Sequence, residues 1–131
     1  MPEDSQLPAI LLIEKDELTL EIYQRELSKS FCVYASTRID TALETLATHD
    51  IRALIIEPEI RSGQGWQLME AIHEVIQDRS IPVIVCSTRD PDHENQLRGI
   101  AIYLTKPVLP RTLRLKIQDI LEAHGEQAKE S

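Results

Sequence analysis

An α/β sandwich, a parallel sheet covered by helices on both sides, is predicted by three observations. Apolar runs of strand length recur about five times along the 131 residues. Stretches with helical spacing of their apolar residues separate them. Several strand runs are continuously apolar instead of alternating, as expected of strands covered on both faces.

Ile10 to Ile13 is the first such run. From Glu17 to Lys29, Leu20, Ile22, Tyr23 and Leu27 fall at near-helical spacing, with Glu21, Arg25 and Glu26 between them. Phe31 to Ala35 reads as the second strand. Ile39, Ala42, Leu43 and Leu46 form the stripe of a second helix over Thr37 to Thr48, which Ser36 or Thr37 is placed to cap. Ala53 to Ile56 is the third strand and runs into Glu57; Pro58, Ser62, Gly63 and Gly65 mark the loop beyond it. Leu68, Ile72 and Val75 or Ile76 give helical period to Trp66 through Gln77. Pro82 opens the fourth strand, Val83 to Cys86, and Asp90-Pro91-Asp92 opens a short polar helix to about Leu97. Ile100 to Leu104 is the fifth strand. Pro110, at a tolerated first-turn position, begins a last helix to about Ala123 with Leu113, Ile117, Ile120 and Leu121 on its apolar side.

The length suits one domain, residues 1–131, with a core from about 9 to 124 and short flexible ends. A net charge of −8 speaks against sequence-independent binding to nucleic acid, which depends on clustered Lys and Arg. A protein partner suits it better. No apolar stretch approaches the roughly 20 residues that span a bilayer, and no basic segment leads into an apolar signal core, so a cytoplasmic location is expected. Cys32 and Cys86 each lie in an apolar run, outside any CxxC or ligand cluster, and read as small core hydrophobes. Tyr34 and Trp66 read as packing residues. His49, His73, His93 and His124 are scattered and read as surface residues.

In doubly wound sheets, functional groups gather beyond the carboxyl ends of the strands. Those positions hold Glu14, Lys15 and Asp16 after the first strand, Glu57 after the third, Ser87 and Thr88 after the fourth, and Lys106-Pro107 after the fifth. Asp16 is also placed to start the first helix, and both readings stand at this point. A nucleotide or flavin protein would need a Gly- or Ser/Thr-rich loop after the first strand; Glu14-Lys15-Asp16-Glu17 would repel phosphate.

This set of residues, in this order, resembles the receiver domain of two-component response regulators, the CheY-like family, over about Ile10 to Leu121. The resemblance implies a flavodoxin-like (βα)5 sandwich with parallel strand order 2-1-3-4-5. It further implies that Glu57 stands at the phosphoacceptor position, that Glu14, Lys15 and Asp16 form the acidic pocket, and that Ser87 and Lys106 hold the phosphate-binding positions. Tyr103 takes the place of the aromatic switch, Pro107 that of the usually cis proline, and Gly65 that of the glycine starting the third helix.

The departures carry the functional expectation. Family receivers have an aspartate where this chain has Glu57, and a second acid where it has Lys15. Magnesium demands near-octahedral oxygen coordination, and an ammonium in place of a carboxylate removes a ligand and adds repulsion. Phosphoryl transfer of this kind depends on positioning and on metal neutralising the transferring group, so the barrier should rise. Lys15 is then a built-in counter-ion to Glu57 or Glu14, or else a side chain pointing into water. Opposite charges ~4 Å apart are worth on the order of 4 kcal/mol at an effective dielectric of 20, before desolvation. Glu57 admits three readings: a partial phosphomimic, a structural relic that satisfies Lys106, or an acceptor of altered reach. Gln64 replaces the usual aspartate before Gly65, and the segment from Ser87 to Lys106 is short for the family, which implies a truncated fourth helix.

The expected function is a degenerate receiver, a pseudo-receiver that signals through protein–protein contacts without turnover and without a cofactor. The alternative is a working receiver in a phosphorelay, using magnesium and phosphorylated by a histidine kinase. Candidate partners are a histidine kinase, an effector protein or a second copy of the chain.

Overall fold

The computed structural model describes residues 7–57, 70–72, 74–75, 80–87 and 100–130. The loop from Pro58 to Gly65, Trp66, His73, Thr88, His93 and the expected fourth helix lie outside the described residues, as does Gln64. In chain order come β1 (Ala9–Ile13), α1 (Glu17–Leu27), β2 (Cys32–Ser36), α2 (Ile39–Thr48), β3 (Ile51–Ile56), β4 (Val83–Ser87), β5 (Ile100–Thr105) and a C-terminal helix (Pro110–Glu130). Residues 70–72 and 74–75 are helical as well, within the stretch whose spacing predicts a third helix.

The five strands form one parallel sheet in the order β2-β1-β3-β4-β5, the arrangement the family resemblance implies. Their apolar residues divide by alternation between two cores. Leu11, Ile13, Leu54, Ile56, Val83 and Val85 pack with Ala42 and Leu46 of α2 and with Ile72. Ile10, Leu12, Ala53, Ile55, Ile84 and Cys86 pack with Tyr23 and Leu27 of α1 and with Leu113 and Ile117 of the C-terminal helix. Burial on both faces explains why these strands read as unbroken apolar runs.

The helix ends depart from expectation in two places. The residue preceding α2 is Arg38, which makes no side-chain cap, whereas Ser36 and Thr37 are the expected caps. Ser36 instead ends β2, and its hydroxyl bonds locally, accepting from Arg38 N at 3.0 Å and donating to Arg38 O at 2.9 Å. The C-terminal helix continues to Glu130, past the expected end near Ala123 and through a segment expected to be flexible. Apart from Gly125, that segment is rich in good helix formers such as Glu, Gln, Ala and Lys. The α1 cap is Asp16, whose carboxylate accepts from Thr19 N at 2.9 Å and from the Thr19 hydroxyl at 2.6 Å.

Along their common seam, α1 and the C-terminal helix are joined by polar contacts. Arg114 Nε donates to Glu26 Oε2 at 2.9 Å, and Arg114 and Gln118 each reach the Ser30 hydroxyl at 3.3 Å. Lys29 adds a second cation 2.9 Å from Glu26 Oε1.

Candidate functional site at the carboxyl ends of the strands

Strand register assembles the site. Ile13 pairs with Ile56, so the residues that follow them, Glu14 and Glu57, leave adjacent strands side by side. Glu57 N continues the ladder by donating to Ile13 O at 3.2 Å, and Glu14 N donates to Ser36 O at 3.1 Å. On the other flank, Ser87 pairs with Thr105, and Lys106 N donates to Ser87 O at 2.7 Å. The Lys106–Pro107 peptide bond is cis.

Lys106 Nζ lies 2.7 Å from Glu14 Oε1 and 2.7 Å from Glu57 Oε1, one ammonium shared by two carboxylates. Strand alternation accounts for the meeting. Glu14 extends the Ile10, Leu12 series, Glu57 the Ala53, Ile55 series and Lys106 the Ile102, Leu104 series, all of which face α1 and the C-terminal helix. Lys15 falls on the opposite parity and is exposed. The cation bridging the pair is Lys106, the lysine that one reading of the sequence pairs with Glu57.

The cluster is largely withdrawn from water. Glu14 is 3% exposed, and the Lys106 and Glu57 side chains are 14% and 24% exposed. Two acids and one base leave a net negative charge in this half-dry space. Desolvation pushes the Glu57 carboxyl above its usual range, and a hydrogen bond with Glu14 adds to the rise against the opposing pull of Lys106. Burial works against the charged form of Lys106, but its bonds to Glu14 and Glu57 outweigh that and hold the ammonium above its ordinary value. Raised values on both partners are compatible, because one ammonium cannot neutralise two carboxylates.

Asp16 belongs to the helix rather than to the cluster. The Thr19 hydroxyl and amide hold its carboxyl below the usual carboxylate range. Its backbone N–H donates to Glu14 Oε2 at 3.2 Å, so both Glu14 oxygens have a donor from the chain. Ser87 is buried at the end of β4, and Tyr103 is half-buried against the α2-side core. By alternation both take the face opposite Lys106.

Tyr23 is the neighbour that sequence reasoning missed, having read it only as part of an apolar stripe. Its ring is buried beneath α1 and its hydroxyl donates to Val108 O at 2.8 Å, two residues beyond Lys106. Burial raises the phenol's pKa, with nearby Cys86 and the two glutamates contributing. Cys86 lies on the same side, and burial pushes its thiol up to about 12, which keeps it in the unreactive thiol form. That agrees with its reading as a core hydrophobe.

Among the described residues the donor set does not fit a magnesium ion of the receiver type. Among the described residues no group of three or more His, Cys, Asp or Glu is arranged to hold a metal. The carboxylates that would supply the oxygens already bind Lys106, Thr19 and the Asp16 amide.

Comparison with known proteins agrees with the fold. No family model matches the sequence. The chain is 30% identical over 134 residues to the two-component response regulator-like protein APRR9 of Arabidopsis thaliana, covering 89% of this chain and 28% of that protein. It spans between 28% and 51% of the length of the first curated relatives it matches. Among solved structures, it is similar to a CheY-like receiver domain protein from Methanospirillum hungatei, with a TM-score of 0.80, 22% identity and coverage of 96% of this chain and 100% of that one. It is also similar to the signal receiver domain of an HD domain-containing protein from Pseudomonas fluorescens, with a TM-score of 0.76, 26% identity and coverage of 92% and 99%. The chain has the CheY-like, flavodoxin-like receiver fold.

Proposed function

We propose that this receiver-fold chain is a signalling domain that works through contacts with other proteins in the cytoplasm, without magnesium-dependent phosphorylation of an aspartate. The observation that carries this reading is the Lys106 ammonium, 2.7 Å from both Glu14 and Glu57. Glu57 occupies the phosphoacceptor position and is already a partner of the lysine that would otherwise meet a phosphoryl oxygen. Lys15 stands where a second metal-binding acid would be needed, and Asp16 is engaged as the cap of α1. With Ser87, Tyr103 and Pro107 also at receiver positions, the chain keeps the scaffold of the switch while its two glutamates share a cation of its own. Transferring a phosphoryl group here would require breaking the Lys106 bridge and recruiting a dication to a site whose acids already have partners. No helix among the described residues is long and apolar enough to cross a membrane.

Incubation of the protein with acetyl phosphate and magnesium, followed by intact-mass measurement at low temperature, tests the reading. The expected spectrum shows the unmodified mass alone. A stoichiometric, magnesium-dependent phosphoryl adduct would instead favour a working receiver fed by a histidine kinase.

A further inference from the structure

At the opposite end of the sheet from Lys106, beneath the amino ends of β1, β2 and β3, lies a cavity of about 570 Å³. That volume suits a small ligand, since such sites commonly measure about 300–1,000 Å³. One wall is aromatic: the rings of Tyr34 and His49 lie with centroids 4.5 Å apart at an interplanar angle of 49°. The His49 ring is held in place, its Nδ1 lying 3.0 Å from the Thr48 hydroxyl and 3.3 Å from Thr45 O. Pro8 and Leu121 supply apolar surface, and Asp50, Arg52 and Glu122 bring charge to the rim.

Some exposed charges on this surface pair locally, as in Glu21 with Arg25 and Arg38 with Asp40. Among the described residues, Asp50, Arg52 and Glu122 take part in no ion pair. Arg52 is the one exposed residue of β3, whose other residues are all buried. A simple anion in the cavity would face Asp50 and Glu122, and a simple cation would face Arg52. A molecule carrying both charges satisfies both sides.

We propose that this cavity binds a free α-amino acid with an apolar side chain. Arg52 receives the carboxylate, for which its planar guanidinium offers paired donors. Asp50 and Glu122 receive the ammonium, and the side chain lies between the Tyr34 and His49 wall and Leu121.

The test is titration of the isotopically labelled chain with L-phenylalanine and L-leucine, followed by amide shifts in two-dimensional NMR. N-acetyl-L-phenylalanine and L-phenylalaninamide, each lacking one charge, serve as comparisons. Saturable shifts confined to the amides of Ala9, Cys32, Tyr34, Asp50, Arg52 and Glu122 are expected, with dissociation constants of about 1 mM. Removing either ligand charge, or Arg52→Gln in a chain whose spectrum is otherwise unchanged, should weaken binding about tenfold. The proposal is overturned if neither amino acid gives saturable shifts by ~20 mM, if the shifts fall elsewhere, or if the singly charged derivatives bind equally well.

Discussion

The hydroxyl of Tyr23 donates to the carbonyl oxygen of Val108 at 2.8 Å, tying α1 to the segment that carries Lys106 and Pro107. This bond fixes the backbone from which Lys106 reaches Glu14 and Glu57. Tyr23→Phe keeps the ring in the core and leaves the carbonyl without its donor. The expected loss is about 1–2 kcal/mol in urea unfolding, with amide exchange near Val108 accelerated more than exchange in β1. Unchanged exchange at Val108 would show that the tie is dispensable.

Lys106→Met removes the ammonium shared by the two carboxylates. Leaving a buried charge without its partner is severe, although the 14% and 24% exposures of Lys106 and Glu57 soften it. A loss of about 2–4 kcal/mol is expected at pH 7. The deficit should shrink on acidification, as the two carboxyls take up protons and no longer repel. Unfolding curves at neutral pH and near the usual carboxylate range check both parts.

The Glu57 shift gives a pH dependence of defined sign. A carboxyl raised in the folded state binds more protons there than in the unfolded chain, so its contribution favours folding at low pH. It is lost as pH rises from the ordinary 4.5 through the folded value. Glu57→Gln removes that slope and leaves Lys106 paired with Glu14, so stability at pH 7 should stay within about 1 kcal/mol of wild type. Glu14→Gln should be the more damaging change, since Glu14 is 3% exposed and accepts from both Lys106 and Asp16 N. Lys106 acts at the alkaline end: its contribution is complete below the ordinary 10.5 and lost as pH rises through its higher folded value.

Asp16 separates a helix cap from a metal ligand. Its lowered pKa means its contribution is present above the usual 3.8 and lost as pH falls through the folded value. Asp16→Ala should lower the melting temperature at neutral pH, while Asp16→Asn, which still caps, should lower it much less. The gap between Asp16→Ala and wild type should narrow below pH 3.8. Equal losses from Ala and Asn at pH 7 would indicate that the charge, not the cap, matters.

Phosphorylation should require two changes. Glu57→Asp restores the usual acceptor but leaves Lys15 where the second acid belongs, so acetyl phosphate should leave it unlabelled. Adding Lys15→Asp supplies another oxygen donor, and the double variant is expected to take label with magnesium. Labelling of Glu57→Asp alone would contradict the proposed role of Lys15.

Much of the fold was legible because both faces of the sheet are covered, which writes strands such as Ala53 to Ile56 as unbroken apolar runs. The strand-end acids and Lys106 were legible for the same reason, since each follows such a run. Helix ends were harder to read. Ser36 looked like a cap because side-chain type alone cannot reveal that its hydroxyl folds onto Arg38. Sequence reasoning paired Lys106 with Glu57 in one of its readings and did not foresee that the same ammonium also reaches Glu14. Carrying strand alternation two residues past Leu12, Ile55 and Leu104 would have placed Glu14, Glu57 and Lys106 on one face. The Tyr23 bond joins residues 85 positions apart, and no local pattern announces it.

The cation between Glu14 and Glu57 is tethered to the backbone, so its stoichiometry is one per molecule at every dilution. A chelator cannot strip it and competing ions cannot exchange with it. The counter-ion of these two glutamates is thereby part of the fold itself, gained and lost with folding and not with the supply of a free ion.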